Sequence, residues 1–156
     1  MQKKILHRDD LLKAIQQEKK KGKSIVTCNG CFDILHAGHI KFLEEAKSHG
    51  DILIVAINTD AYITKKKGRG RPVNSQDDRA LVLAALACVD YVAIFAEDTP
   101  IALLEELKPD VHCNGEEYGE NCVEAATVRK NGGRLHLIRN YKGLSTTNIL
   151  KKIAAQ

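Results

Sequence analysis

Six consecutive apolar residues, Ile52 to Ile57, stand between Asp51 and Asn58. A run of that length without a polar break suits a strand covered on both faces, and such strands belong to parallel sheets. Shorter runs of the same kind recur at Ile25-Val26-Thr27-Cys28, Tyr91 to Phe95, Val111 to Cys113 and Leu135 to Ile138. Helical segments separate them. Residues 9 to 21 carry Leu11, Leu12 and Ile15 on one side and stop at Gly22. A second helix runs from about Gly38 to His49 with Gly50 as its C-cap, and a third from Asp77 to Cys88. Asp98 or Thr99 is expected to cap a fourth, with Pro100 in its first turn. A fifth extends to about Lys130 before Gly132-Gly133, and a sixth spans Ser145 to Ala154. Asn58 to Asn74 is polar and rich in Lys, Arg and Gly, and reads as a mobile segment over a site.

Strands alternating with helices predict an α/β chain with a Rossmann-like, doubly wound sheet of five parallel strands. The 156 residues suit one domain over 1–156. Sheets of this kind bind ligands where the carboxyl ends of the strands meet the following loops. The net charge of +4 is mild, and with no Trp, four Tyr and three Phe the chain offers no stacking platform for nucleic acid. The first ten residues contain no secretory pattern, and no run is long enough to cross a membrane, so the chain reads as cytoplasmic. Its five cysteines are then expected to stay reduced.

Two segments carry chemistry. Asn29-Gly-Cys-Phe-Asp-Ile-Leu-His-Ala-Gly-His39 runs from the first strand into a helix. Its glycines allow close backbone approach, and a helix start offers free N–H groups to an anion. His36 and His39, three apart in a first helical turn, face one ligand. The alternative of a zinc site at Cys28, Cys31, His36 and His39 is disfavoured: Cys28 belongs to the strand and no second cysteine pair lies close in sequence. The second segment, Gly143-Leu-Ser-Thr-Thr147, precedes the last helix. Ser145 or Thr146 serves as N-cap, and the hydroxyls and helix N–H groups together suit phosphates. Lys65 to Arg71, a run of cations and glycines, reads as a lid closing on phosphates.

Together these segments resemble the cytidylyltransferase-like nucleotidyltransferases, which carry His-x-Gly-His after strand one and a Gly-Ile-Ser-Thr-Thr-like stretch before a late helix. The likeness runs from about residue 9 to 153. Within the family, Thr27 to His39, Arg71-Pro-Val-Asn74, Glu97-Asp-Thr-Pro100, Asn131-Gly-Gly133 and Ser145 to Ile149 are most similar to the branch that adenylylates D-glycero-β-D-manno-heptose 1-phosphate. The resemblance implies ATP and a sugar 1-phosphate as substrates, Mg²⁺ entering with ATP, a separate kinase supplying the sugar phosphate, and a homodimer. It also implies residue roles. Gly30, Cys31, Phe32, His36 and His39 would line the triphosphate, with Gly143, Ser145, Thr146 and Thr147 on its outer phosphates. Gly115, Glu117 and Tyr118 would stand near the base. Asp33, Lys65 and Arg79 would reach the acceptor, and His36, His39, Lys67, Ser145 and Thr146 would carry catalysis. Asn140 stands where the glycerol-phosphate cytidylyltransferases have arginine, while Asn114 and Glu116 replace the Lys and Gly usual in the heptose branch. A cytidylyltransferase for glycerol 3-phosphate is therefore the alternative.

A sugar phosphate oxygen is already anionic, and pyrophosphate is a good leaving group. Neither demands a strong base or acid. Catalysis is expected to rest on alignment and charge neutralisation, which His, Lys, Ser and Thr can supply.

Overall fold

The computed structural model describes residues 2–141 and 143–156. Five strands form one sheet: β1 (Ile25–Gly30), β2 (Ile52–Asn58), β3 (Tyr91–Phe95), β4 (Val111–Gly115) and β5 (Arg134–Ile138). Their order across the sheet is β3-β2-β1-β4-β5, and every pairing is parallel. The apolar run at 52–57 lies second from the edge, as continuous burial requires. Strand β1 continues past Cys28, where the apolar run stops, because Asn29 and Gly30 remain in register with Ala56 and Ile57. The outer edge of β3 is covered in part by Ile5, which bridges to Val92.

Helices α1 (Arg8–Lys20), α2 (Ala37–Lys47), α3 (Asp60–Lys67), α4 (Gln76–Ala84), α5 (Ile101–Leu107), α6 (Ala125–Lys130) and α7 (Thr146–Ala154) complete the chain, with a short 3₁₀ turn at Glu116–Tyr118. Alternate strand residues feed two cores. On one face Val26, Cys28, Val55 and Ile57 pack with Leu43 of α2 and Leu83 of α4. On the other, Ile25, Ile54 and Ala93 pack with Leu11 and Ile15 of α1 and Leu103 of α5. Adjacent residues of one strand thus belong to opposite faces, which is the period of the pleat.

Three local expectations are corrected. Residues 60–67 form helix α3 instead of a loop. Thr59 caps it, its side chain accepting from the Tyr62 N–H at 3.4 Å, while Asp60 opens it and Lys65, Lys66 and Lys67 close it in the sense the helix dipole favours. Ile63 is its only fully buried anchor. Pro100 occupies the N-cap of α5 itself, with no side-chain cap from Asp98 or Thr99. Helix α2 ends at Lys47 with Ser48 as C-cap, so Gly50 lies beyond it. There a Cβ would sit 2.6 Å from Val26 Cγ2, so that glycine answers crowding, not helix termination.

The order of the strands reverses at β1: the chain steps to β2 and β3 on one side, then crosses to β4 and β5 on the other. The loops after β1 and β4 therefore diverge and leave a crevice at the carboxyl ends of these two strands.

Candidate active site

The loop from β1 into α2 builds one wall of that crevice. Phe32 adopts φ +46°, a left-handed conformation rare for a bulky residue, and its buried ring packs into the core beneath the loop. That ring also meets His39, with centroids 5.3 Å apart. His36 is the N-cap of α2: its Nδ1 accepts the Gly38 N–H at 3.1 Å. In the neutral ring the proton then resides on Nε2, which becomes a donor. The His36 and His39 rings stack at 3.9 Å between centroids and 27° between planes. A Cβ at position 38 would lie 2.9 Å from the His36 ring and 3.1 Å from Leu144 Cβ, so glycine is what lets the imidazole and the late loop meet there.

His39 Nδ1 is buried without a hydrogen-bond partner. Burial, then the neighbouring His36 and Lys67, lower its pKa to about 4. Burial also lowers that of His36. Both imidazoles are therefore held neutral in the ligand-free protein. An anion arriving beside the stacked rings would meet the fixed N–H donor of His36.

The opposite wall comes from the loop between β5 and α7. Ser145 is the N-cap of α7, its Oγ accepting the Asn148 N–H at 3.1 Å. Thr146 Oγ1 donates to the carbonyl of Ile34 at 3.1 Å. That bond joins residues 112 apart in sequence and ties the late loop directly to the first motif. Between the two loops lies a cavity of about 370 Å³. Gly30, Cys31, Phe32, His36 and His39 line it from the first motif, and Ser145, Thr146 and Thr147 from the second. Gly115, Glu117 and Tyr118 reach it from the end of β4, and Lys67 from the end of α3.

Residues 27–152 match the cytidylyltransferase-like family. The chain belongs to that family. It is 49% identical over 151 residues to the bifunctional protein HldE of Geobacter metallireducens, a match covering 96% of this chain and 31% of that protein. The HldE of Azotobacter vinelandii is likewise 49% identical over 153 residues, covering 97% of this chain and 32% of the relative. The chain thus spans about a third of the length of these curated relatives. Among solved structures, the lipopolysaccharide core biosynthesis protein of Thermoplasma volcanium superposes with a TM-score of 0.61 at 31% identity, over 78% of this chain and 98% of that one. Pantoate-beta-alanine ligase from Francisella tularensis has a TM-score of 0.63 at 19% identity, over 97% of this chain and 79% of its own, and shares the fold.

The two motifs thus lie together on one cavity, but three residues expected at the acceptor are placed otherwise. Arg79 is the clearest correction. Its side chain is 0% exposed and fully engaged. Nη1 donates to Cys31 O at 2.6 Å, Nη2 to Asn58 O and to Asp60 Oδ1, each at 2.8 Å, and Nε to Asn74 O at 3.2 Å. It binds together the loops after β1 and β2 and the segment before α4, and has no face toward a ligand. Lys65 is exposed and pairs with Asp98 at 3.3 Å, away from the wall of the cavity that Lys67 reaches. Asp33 borders the cavity, yet its carboxylate accepts from Arg71 Nε and from the N–H groups of Val73 and Asn74, each at 2.9 Å. Burial alone would raise its pKa. The Asn74 and Val73 N–H groups and the Arg71 guanidinium outweigh that and hold it below the usual carboxylate range. Asp33 is an anchor that pins residues 71–74 beside the site. Gly143, at φ +80°, turns the chain so that Leu144 covers Gly38, and does not itself line the cavity.

Arg71, from the run read as a lid, lines the cavity, and so do two residues that sequence reasoning missed, Arg139 and Tyr141. The last two follow β5 directly, and their place at a strand's carboxyl end was the available signal. Asn114 and Glu116, which depart from the heptose branch, both have internal partners. Asn114 Oδ1 accepts from Gly115 N–H at 3.1 Å, and Glu116 Oε1 accepts the Asn140 N–H at 3.0 Å.

Proposed function

We propose that this chain is an adenylyltransferase that joins the AMP of ATP to D-glycero-β-D-manno-heptose 1-phosphate, releasing pyrophosphate. The observation that carries this reading is the convergence of the stacked His36–His39 pair and the Ser145–Thr147 loop on one cavity, with Thr146 fastened to Ile34. In the reaction an acceptor phosphate oxygen attacks the α-phosphorus of ATP. The bond from that phosphorus to the bridging oxygen of pyrophosphate breaks, and no proton need be removed from the nucleophile. The chain's task is to align the three groups and neutralise charge at the equatorial oxygens. His36 Nε2–H, His39 and Lys67 supply donors around the α- and β-phosphates. The N–H groups at the start of α7 and the hydroxyls of Ser145 and Thr146 take the outer phosphates.

A second cavity of about 530 Å³ shares Asn29, Gly30, Cys31, Lys67, Asn114 and Tyr118 with the first. Lys66, Tyr62 and Glu124 also line it. Glu124 is buried and accepts from Asn29 and Asn114, both at 3.3 Å. A sugar phosphate fits this mixture: Lys67 at the shared wall and Lys66 beyond it for the phosphate, and a carboxylate and amides for hydroxyls. Magnesium, which supplies further charge neutralisation at the phosphates, would be held by phosphate oxygens and water. Of the two carboxylates bordering the cavity, Asp33 and Glu117, Asp33 is committed to Arg71, Val73 and Asn74 and offers it no ligand.

Pyrophosphate release measured with ATP, CTP and GTP against heptose 1-phosphate and glycerol 3-phosphate tests the assignment. ATP with heptose 1-phosphate is expected to give the highest kcat/KM, and ATP to raise Tm more than CTP. Preference for CTP with glycerol 3-phosphate would move the chain to the cytidylyl branch, and no release with any pair would remove the catalytic reading.

A further inference from the structure

The end of α2 remote from the phosphate cavity holds a second cluster of chemistry-bearing side chains. Glu45 lies in the last turns of α2, His49 just past its C-cap, and His136 on β5. One ligand atom from each lies within 4.8 Å of those of the other two. The two imidazoles are 3.9 Å apart between centroids, and His136 Nε2 is 3.1 Å from Glu45 Oε1. The His136 and Glu45 side chains are 28% and 35% exposed, open to an ion from solvent yet held by packing on one side.

The geometry points to a binding site for a borderline divalent cation, zinc above all, formed by Glu45, His49 and His136 with water in the fourth position. Two imidazoles and one carboxylate are a donor set that zinc accepts, whereas magnesium and calcium prefer oxygen throughout. Ligand atoms about 2.0–2.1 Å from a tetrahedral zinc stand about 3.3 Å from one another. The widest separation here must close by roughly 1.5 Å, within reach of rotamer adjustment in half-exposed side chains. The metal takes the place of the proton that His136 Nε2 donates to Glu45, and the neutral ring then carries its proton on Nδ1.

Arg134 is the competitor. Its Nη2 donates to His49 Nδ1 at 3.2 Å. If the metal takes His49 Nε2, Nδ1 must carry the ring proton and can no longer accept. If it takes Nδ1, the lone pair is spent. Either way Arg134 must release His49, and its charge opposes the ion. The site joins the end of α2 to β5. Helix α2 begins with His39 in its first turns, and β5 leads into the loop that carries Ser145. An ion there would staple the two elements that present the phosphate-binding groups while touching neither cavity.

The test uses the full chain without nucleotide. Zinc is titrated calorimetrically and cobalt(II) by absorption, and Tm is recorded with and without zinc. One ion per chain is expected, with the visible bands of tetrahedral cobalt, no thiolate-to-cobalt charge-transfer band, and a raised Tm. His49→Ala, His136→Ala and the near-isosteric Glu45→Gln should each weaken binding by at least about tenfold. Arg134→Gln should tighten it, while Lys130→Gln, with the same loss of charge, and His36→Ala should leave it unchanged. Unaltered affinity in both histidine variants would overturn the proposal. So would a thiolate band, which places the ion on cysteine, or loss of binding in His36→Ala, which places it at the phosphate cavity.

Discussion

Replacing Arg79 by Met separates two roles for this side chain: holding the loops that form the site, and touching a substrate. Met keeps the aliphatic bulk and removes the guanidinium. The carbonyls of Cys31, Asn58 and Asn74 then lose a charged donor. An orphaned buried acceptor costs about 1–3 kcal/mol, and hydrogen bonds to charged groups sit at the upper end of the usual range. The Asp60 carboxylate is 40% exposed and can turn to water, so its loss adds little. Against this, the variant no longer desolvates a cation, which offsets part of the loss. The net expectation is about 3–5 kcal/mol, from three orphaned carbonyls less that offset. For a chain of this size that lowers Tm by about 10–15 °C.

Arg79→Lys should fall between, since one ammonium on a flexible stem cannot serve three divergent carbonyls. Urea unfolding followed by circular dichroism gives the stability, and ATP binding by calorimetry reports whether the Cys31 loop has kept its shape. The reasoning is refuted if both variants unfold within about 1 kcal/mol of the parent while the KM for the sugar phosphate rises tenfold or more. That pattern would show the guanidinium reaching the acceptor after all.

Two further predictions concern the histidines. His39→Ala should lower kcat by about 10²–10³, the effect of removing one well-placed donor. Tm should change little, because Nδ1 has no hydrogen bond to lose; near-normal turnover would remove the phosphate role. Stability should also fall on acidification. His39 and the buried His112 are both lowered to about 4 in the folded chain, chiefly by burial, against about 6.5 when unfolded. Between those values the unfolded chain binds more protons. Stability is therefore fully present above pH 6.5 and is lost as pH falls toward 4, by up to about 1.4 kcal/mol per pH unit for each histidine. Urea midpoints at pH 7, 6 and 5 check the slope, and an unchanged midpoint contradicts it.

What was legible in the sequence is what local physics dictates. Continuous apolar residues at 52–57 announce a doubly covered strand, and Ser145 before a helical stretch announces a cap. The helix at 60–67 had its signals too, in Thr59, Asp60 and the closing lysines. It was hidden because Ile63 is its single fully buried residue, and one anchor gives no periodicity. The roles of Arg79 and Asp33 were not legible at all. Arg79 donates to residues 48 and 21 positions away, and Asp33 accepts from residues 38 to 41 positions on. Such partners are chosen by topology, since the loops after β1 and β2 are brought side by side only when the strands pair. A charged residue in a motif or on a helix facing a site looks the same in sequence whether it binds substrate or holds the site's frame.

Why the frame consumes so many charges follows from the chemistry it must serve. A polyphosphate site needs cations and N–H donors, yet an empty cavity packed with unpaired cations would repel itself. Here the segment from α3 to α4 divides its basic residues. Lys65 pairs with Asp98, Arg71 with Asp33 and Arg79 with Asp60, leaving Lys67 as the lysine of its run on the wall of the first cavity. The histidines complete the arrangement from the other direction. Burial keeps both neutral while the cavity is empty, so they contribute no repulsion. An incoming phosphate reverses the balance, because an adjacent anion favours the protonated ring. Positive charge at His39 is thus expected to appear with the ligand that the proposed function requires.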